Sequence, residues 1–135
     1  MMSKLKMPIK IDEIAGTRLL MLNMALVDVR YTQGVLEISL STNIDGELKR
    51  LKITFDWAMS FRLTDEGDLL KTQNDLLGEM VTGTYTVEKS DYLSWFHEQS
   101  YNIHSSETPY HYLVVSSTEV VDVLSTSAPS IEIIN

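Results

Sequence analysis

From Leu51 the chain reads LKITFDWAMSFRL, in which Leu51, Ile53, Phe55, Trp57, Met59, Phe61 and Leu63 alternate with Lys52, Thr54, Asp56, Ala58, Ser60 and Arg62. A period of two over thirteen residues cannot hold one face of a helix, which repeats every 3.6 residues; it specifies a strand with one buried face. Fully extended, that strand would run roughly 43 Å at 3.3 Å per residue, too long for a small domain, so a bend or bulge is expected within it. The run before it, VLEISLS, also alternates, and Asp45-Gly46 between the two is a pair favoured where both central turn residues need positive φ. Strands over 35–42 and 48–63 are therefore expected to pair as a hairpin. Val27, Val29 and Tyr31 alternate with Asp28, Arg30 and Thr32 ahead of Gln33-Gly34, adding a third strand and making a meander.

The chain's 135 residues fit one domain spanning 1–135, large enough to bury roughly two-thirds of its unfolded surface. The segment TDEGDLLKTQNDLLGEMVTG mixes helical leucine spacing with Gly67, Gly78 and Gly83, and is read as irregular with one helical turn. TYTVE at 84–88 is a short strand. Over 90–100, Ser90 is placed to cap a helix, Asp91 suits its positive N-terminus and Asn102 its far end. At 100° per residue Tyr92, Leu93, Trp95 and Phe96 share one face, expected to lie on the sheet. YHYLVVSS and EVVDVLS read as two strands, with a short helix over 119–125 as the alternative, and SIEII after Pro129 as an edge strand. The expected fold is α+β: a mostly antiparallel, strongly bent sheet, a meander able to approach a barrel, with one main helix over about 90–100. The expected core is Leu51, Ile53, Phe55, Trp57, Phe61, Leu93, Trp95 and Phe96.

Eleven Lys and Arg against nineteen Asp and Glu give a formal charge of −8, and no base follows Lys89. Residues 90–135 carry −6 through Asp91, Glu98, Glu107, Glu119, Asp122 and Glu132. Such a field repels phosphate backbones and anionic bilayers, so neither nucleic acid nor membrane is an expected partner. With no cysteine, disulfides, thiolate metal sites and a cysteine nucleophile are excluded. Lys4 and Lys6 could open a signal peptide, but Lys10, Asp12 and Glu13 arrive before an apolar core, and Leu19 to Val27 is too short to span a bilayer. A soluble, cytoplasmic protein is expected.

His97, His104 and His111 fall seven residues apart. They would align only on a helix running from 97 to 111, which SSETP and Pro109 break. No close ligand pair accompanies them, so neither a metal nor another cofactor is expected, and His97 is read as a locally hydrogen-bonded flank residue. No Gly-x-Ser-x-Gly elbow is present. Glu66 and Asp68 flank Gly67 without the oxygen spacing of a calcium loop, and read as a polar turn.

SDYLSWFHEQS followed by HYLVVSSTEVVDVLS and a terminal PSIEII, in a small acidic cysteine-free chain, resembles the immunity proteins of bacterial polymorphic toxin and contact-dependent growth inhibition systems, mainly over residues 50–134. The resemblance implies a non-enzymatic protein that binds and neutralises a cognate toxin domain. A toxin that holds phosphates presents a cationic surface, so the expected partner is basic and the expected contacts are Asp65, Glu66, Asp68, Glu98, Tyr101, Glu107, Tyr110 and Glu119. Two other readings stay open: a small-ligand binder whose cavity is lined by Phe55, Trp57, Phe61 and Trp95, and a small enzyme using His97 or His111 with a nearby acid.

Overall fold

In a computed structural model, residues 9–134 are described, so Lys4 and Lys6 of the leader argument lie outside them. The long alternating run is two strands. Strand β4 (Glu47–Phe55) ends at the corner Asp56-Trp57, and β5 (Ala58–Asp65) continues in a different sheet. Ahead of them lie β1 (Lys10–Glu13), the short helix α1 (Thr17–Leu20), β2 (Ala25–Thr32) and β3 (Val35–Ile44). After them come α2 (Leu70–Asp75), β6 (Gly83–Glu88), α3 (Asp91–Gln99), β7 (Tyr110–Val115), β8 (Glu119–Ser125) and β9 (Ser130–Ile134). One sheet has the order β2-β3-β4-β9 and the other β1-β6-β7-β8-β5, with every neighbour antiparallel.

The expected meander is β2-β3-β4. Its two turns are built as the sequence requires, with Gln33-Gly34 at φ 47° and 90° and Asp45-Gly46 at φ 54° and 81°. At Gly34 a side chain is excluded twice over: φ is positive, and a Cβ would fall 2.7 Å from Trp57 Cζ3. Here the Gly34 carbonyl accepts from Ala58 N at 2.8 Å, tying the meander's first turn to the corner where the chain changes sheets.

The barrel-like form is not adopted: among the described residues there are two sheets, neither of them closed. The reason lies at that corner, where the bend expected from strand length carries β5 out of the first sheet altogether. Leu36, Ile38 and Leu40 of β3 and Leu51, Ile53 and Phe55 of β4 face Tyr112 and Val114 of β7 and Val121 and Val123 of β8, with Met21 and Met24 closing one side. The opposite face of the five-stranded sheet buries Tyr85, Val87, Leu113, Val115 and Val120 under Ile9, Ile11, Leu69 and Met80. β7 and β8 are thus buried on both faces, which explains their nearly unbroken apolar runs and why strand rather than helix is the outcome at 119–125.

The expected core is half right. Leu51, Ile53 and Phe55 are buried, whereas Trp57 is 63 % exposed, Trp95 51 % and Phe61 37 %, with Leu93 and Phe96 half-buried. Past the corner, Phe61 and Leu63 keep the inward parity, but β5 is an edge strand; Phe61 meets the Tyr31 ring at 5.5 Å and is left partly uncovered. On α3 only Tyr92 is buried, so the helix lies on the sheet by one residue rather than by its whole aromatic face. The irregular 64–83 segment holds a 3-10 turn (Glu66–Asp68) and α2. No described helix is long and apolar enough to cross a membrane.

Candidate functional site

A buried polar chain joins α3 to the five-stranded sheet. β6 ends at Glu88, Lys89 turns the backbone with φ 60°, and Ser90 caps α3 by accepting from Leu93 N at 2.9 Å. That turn lays Ser90 Oγ 2.6 Å from Nδ1 of His111 on β7, and His111 Nε2 lies 2.7 Å from Oδ1 of Asp122 on β8. Arg62 of β5, the cross-strand partner of Asp122, donates from Nε to Oδ2 at 2.9 Å. The Arg62 guanidinium stands 4.2 Å over the Tyr92 ring, and the Tyr92 hydroxyl bonds Ser60 Oγ. His111 and Asp122 are each 4 % exposed.

Burial alone would raise the Asp122 carboxyl, but hydrogen bonds from His111 and Arg62, together with their charge, outweigh it and hold the group below the usual carboxylate range. Burial pushes the Tyr92 hydroxyl up, against the lowering influence of Ser60 and Arg62. An ionised Asp122 only accepts, so the proton between it and His111 sits on Nε2. Nδ1 and Ser90 Oγ share the next hydrogen bond of the chain, and Ser90 Oγ also accepts from Leu93 N. A cavity of about 330 Å³ lies beside this chain, where Ser90, His111 and Tyr92 meet Lys71, Lys89 and Asp75. Chemically, the arrangement can clamp the helix to the sheet, or present a serine hydroxyl to a histidine base backed by a carboxylate.

The histidines sit on a helix, a turn and a strand, and no described group of three His, Asp or Glu is placed to hold a metal ion. His97 is not locally hydrogen-bonded as expected: its Nδ1 is buried without a partner among the described residues. His104 stacks on Phe96 at 5.5 Å, with Nδ1 2.9 Å from Glu107 Oε1. His111 is the member that the fold uses, and the signal for it was a polar residue inside an apolar strand, as it was for Asp122 in VVDVL. In a strand buried on both faces such residues require partners.

The eight expected contact residues fall into two groups. Asp65 and Glu119 are cross-strand partners at one end of β5 and β8, next to Glu66, whose N–H donates to Thr118 O at 3.0 Å, and to Asp68. Asp65 Oδ1 is turned onto Gly67 N at 2.8 Å, as a polar turn would have it. Glu98, Tyr101, Glu107 and Tyr110 lie at the other end, roughly 20 Å away by strand length, where Tyr110 and Ala58 both pair with Ser125. Sequence reasoning placed Trp57 inside, yet it shares a recess with Met59, Glu107 and Thr126 at this second end. The four aromatics of the ligand-cavity reading do not converge: Phe61 and Trp95 share a shallow hollow with Tyr92, Phe55 is in the core, and Trp57 is at the corner.

No family model matches the chain, and comparison with curated proteins and with solved structures gave no match.

Proposed function

We propose that this chain is a non-enzymatic binding protein that recognises and neutralises a cationic toxin domain, in the manner of the immunity proteins its sequence resembles. The observation that carries the reading is the end of the molecule where α3 runs into β7. There Tyr101 is 90 % exposed, and Ile103, Tyr110 and Trp57 are also largely uncovered, between the carboxylates of Glu98 and Glu107. Exposed tyrosine and tryptophan are the side chains that anchor protein interfaces once desolvated. Residues 90–135 contain no lysine or arginine, so the field around those anchors accelerates encounter with a basic surface.

The test is binding to the product of the adjacent reading frame. The expected result is a complex whose association slows by about ten-fold or more between low and physiological salt. A salt-indifferent complex, or an acidic partner, would overturn the electrostatic mechanism.

One observation favours a second reading, a serine-nucleophile enzyme: Ser90, His111 and Asp122 are the residue types of a hydrolytic triad in hydrogen-bonded order. The clamp is the stronger account, because Ser90 Oγ is occupied as the cap of α3 and the serine is 9 % exposed. Labelling of Ser90 by a fluorophosphonate probe would replace the clamp with the nucleophile.

A further inference from the structure

A cavity larger than the one beside Ser90 lies elsewhere. A cleft of about 790 Å³ opens between α1 and the β4–β9 side of the four-stranded sheet, walled by Leu19, Leu20, Met24, Leu48, Leu51 and Ile133. Its walls are mostly apolar, with Glu47, Lys49 and Arg50 at one end. Leu51 is at the floor and fully buried, while Leu19 is 80 % exposed and Ile133 61 %. Ile133 pairs with Leu51 across β9 and β4, so the inward face of the four-stranded sheet runs on past the cover of the other sheet.

Lys49 precedes Leu51 by two residues on that inward face, and Arg50, of the opposite parity, borders the cleft where β4 pairs with β9. Lys10, Arg18, Arg30, Lys52, Arg62 and Lys71 each have a carboxylate within 4.0 Å. Among the described residues Lys49, Arg50 and Lys89 have no ion-pair partner, and two of these three stand together at this opening in a protein of charge −8. Glu47 also borders the cleft, but it pairs with Ile44 at the hairpin tip, one step further from the floor than Lys49.

We infer that the cleft binds a free anionic amphiphile, a carboxylate on a saturated hydrocarbon tail, with the tail against the leucines and the head at Lys49 and Arg50. The volume lies in the range of small-ligand sites. Charge selects the head group, because an unpaired cation next to apolar walls gains a partner without giving one up. Tail length sets affinity, each buried methylene adding about fourfold. This site is on other elements than the aromatic end and does not depend on its reading.

The probe is dodecanoate below its micellar concentration, titrated into the full chain and followed by calorimetry and by methyl NMR. The expected result is saturable one-to-one binding, with octanoate and dodecylammonium each weaker by ten-fold or more. Lys49→Glu with Arg50→Glu should weaken dodecanoate by a similar factor, and so should Leu19→Glu, a change at an exposed position. Shifts should centre on Leu20, Leu51 and Ile133, a readout in the unaltered chain that stands even if a variant folds poorly. Absence of saturable binding, equal binding of dodecylammonium, unweakened binding by the folded variants, or shifts centred elsewhere would each overturn the assignment.

Discussion

His111 Nε2 lies 2.7 Å from Asp122 Oδ1 although the two are not cross-strand partners: His111 faces Leu124, and Asp122 faces Leu113. The contact is diagonal, between residues on the same face of neighbouring strands, and it leaves Asp122 Oδ2 for Arg62 and His111 Nδ1 for Ser90. Four elements, β5, β8, β7 and the start of α3, therefore share one polar chain.

Removing one member leaves the next buried and unpaired. His111→Ala and Asp122→Ala are each expected to cost about 3–5 kcal/mol, and the double variant much less than their sum. Urea unfolding of the three proteins measures this. Additive losses would mean that the two side chains do not share a network.

The same chain makes acid stability depend on Asp122. Its folded-state pKa is lowered from the ordinary 3.8, so its contribution is fully present above that value and is lost as pH falls through the lowered one. The stability gap between the native chain and Asp122→Asn should therefore be constant from pH 7 to about 5 and narrow below 3.8. A gap that stays constant to pH 2 would assign the difference to packing alone.

The two alternating halves of LKITFDWAMSFRL should respond oppositely to truncation. Phe55 is fully buried with its ring 5.3 Å from Tyr112, and Phe55→Ala is expected to cost about 3–5 kcal/mol. Trp57, two residues on and of the same parity, should cost about 1 kcal/mol or less, since it is 63 % exposed. Comparable losses at both positions would contradict the corner at Asp56-Trp57.

That pair of residues also shows what was legible in the sequence. Local rules found the hairpin at Asp45-Gly46, the turn at Gln33-Gly34, the Ser90 cap, and the strands at 84–88, 110–115 and 119–125, because turn chemistry and strand periodicity act over a few residues. Periodicity does not say which sheet a strand enters, so Phe55 and Trp57 looked equivalent although a corner separates them. β1 and α1 were missed: four residues give no measurable period, and KIDE shows no alternating pattern of its own. The Ser90–His111–Asp122 chain was hidden for a different reason, since its members are 21 and 11 residues apart and meet only through the register of β7 with β8. The acids of 65–68 and of 98–107 read as one surface in a count of charge, whereas strand direction sends them to opposite ends.

Opposite ends can be told apart by experiment, and this decides where a partner binds. At the α3–β7 end, apolar anchors and carboxylates are combined, so Tyr101→Ala and Tyr110→Ala are expected to speed dissociation, each costing about 2 kcal/mol or more of binding if it is a hot spot. Glu98→Lys with Glu107→Lys should instead slow association, because exposed charges act on encounter rather than on the docked contact. At the other end, Asp65→Lys with Glu119→Lys places the same number of reversed charges roughly 20 Å away, beyond two Debye lengths of about 8 Å at physiological salt. That variant should associate at nearly the native rate in physiological salt and show a deficit only when salt is lowered. Stopped-flow association with the partner at two ionic strengths separates the cases. A larger loss from Asp65→Lys with Glu119→Lys would move the interface to the β5–β8 end, and equal losses from both pairs would mean that only the net charge of the molecule steers its encounter.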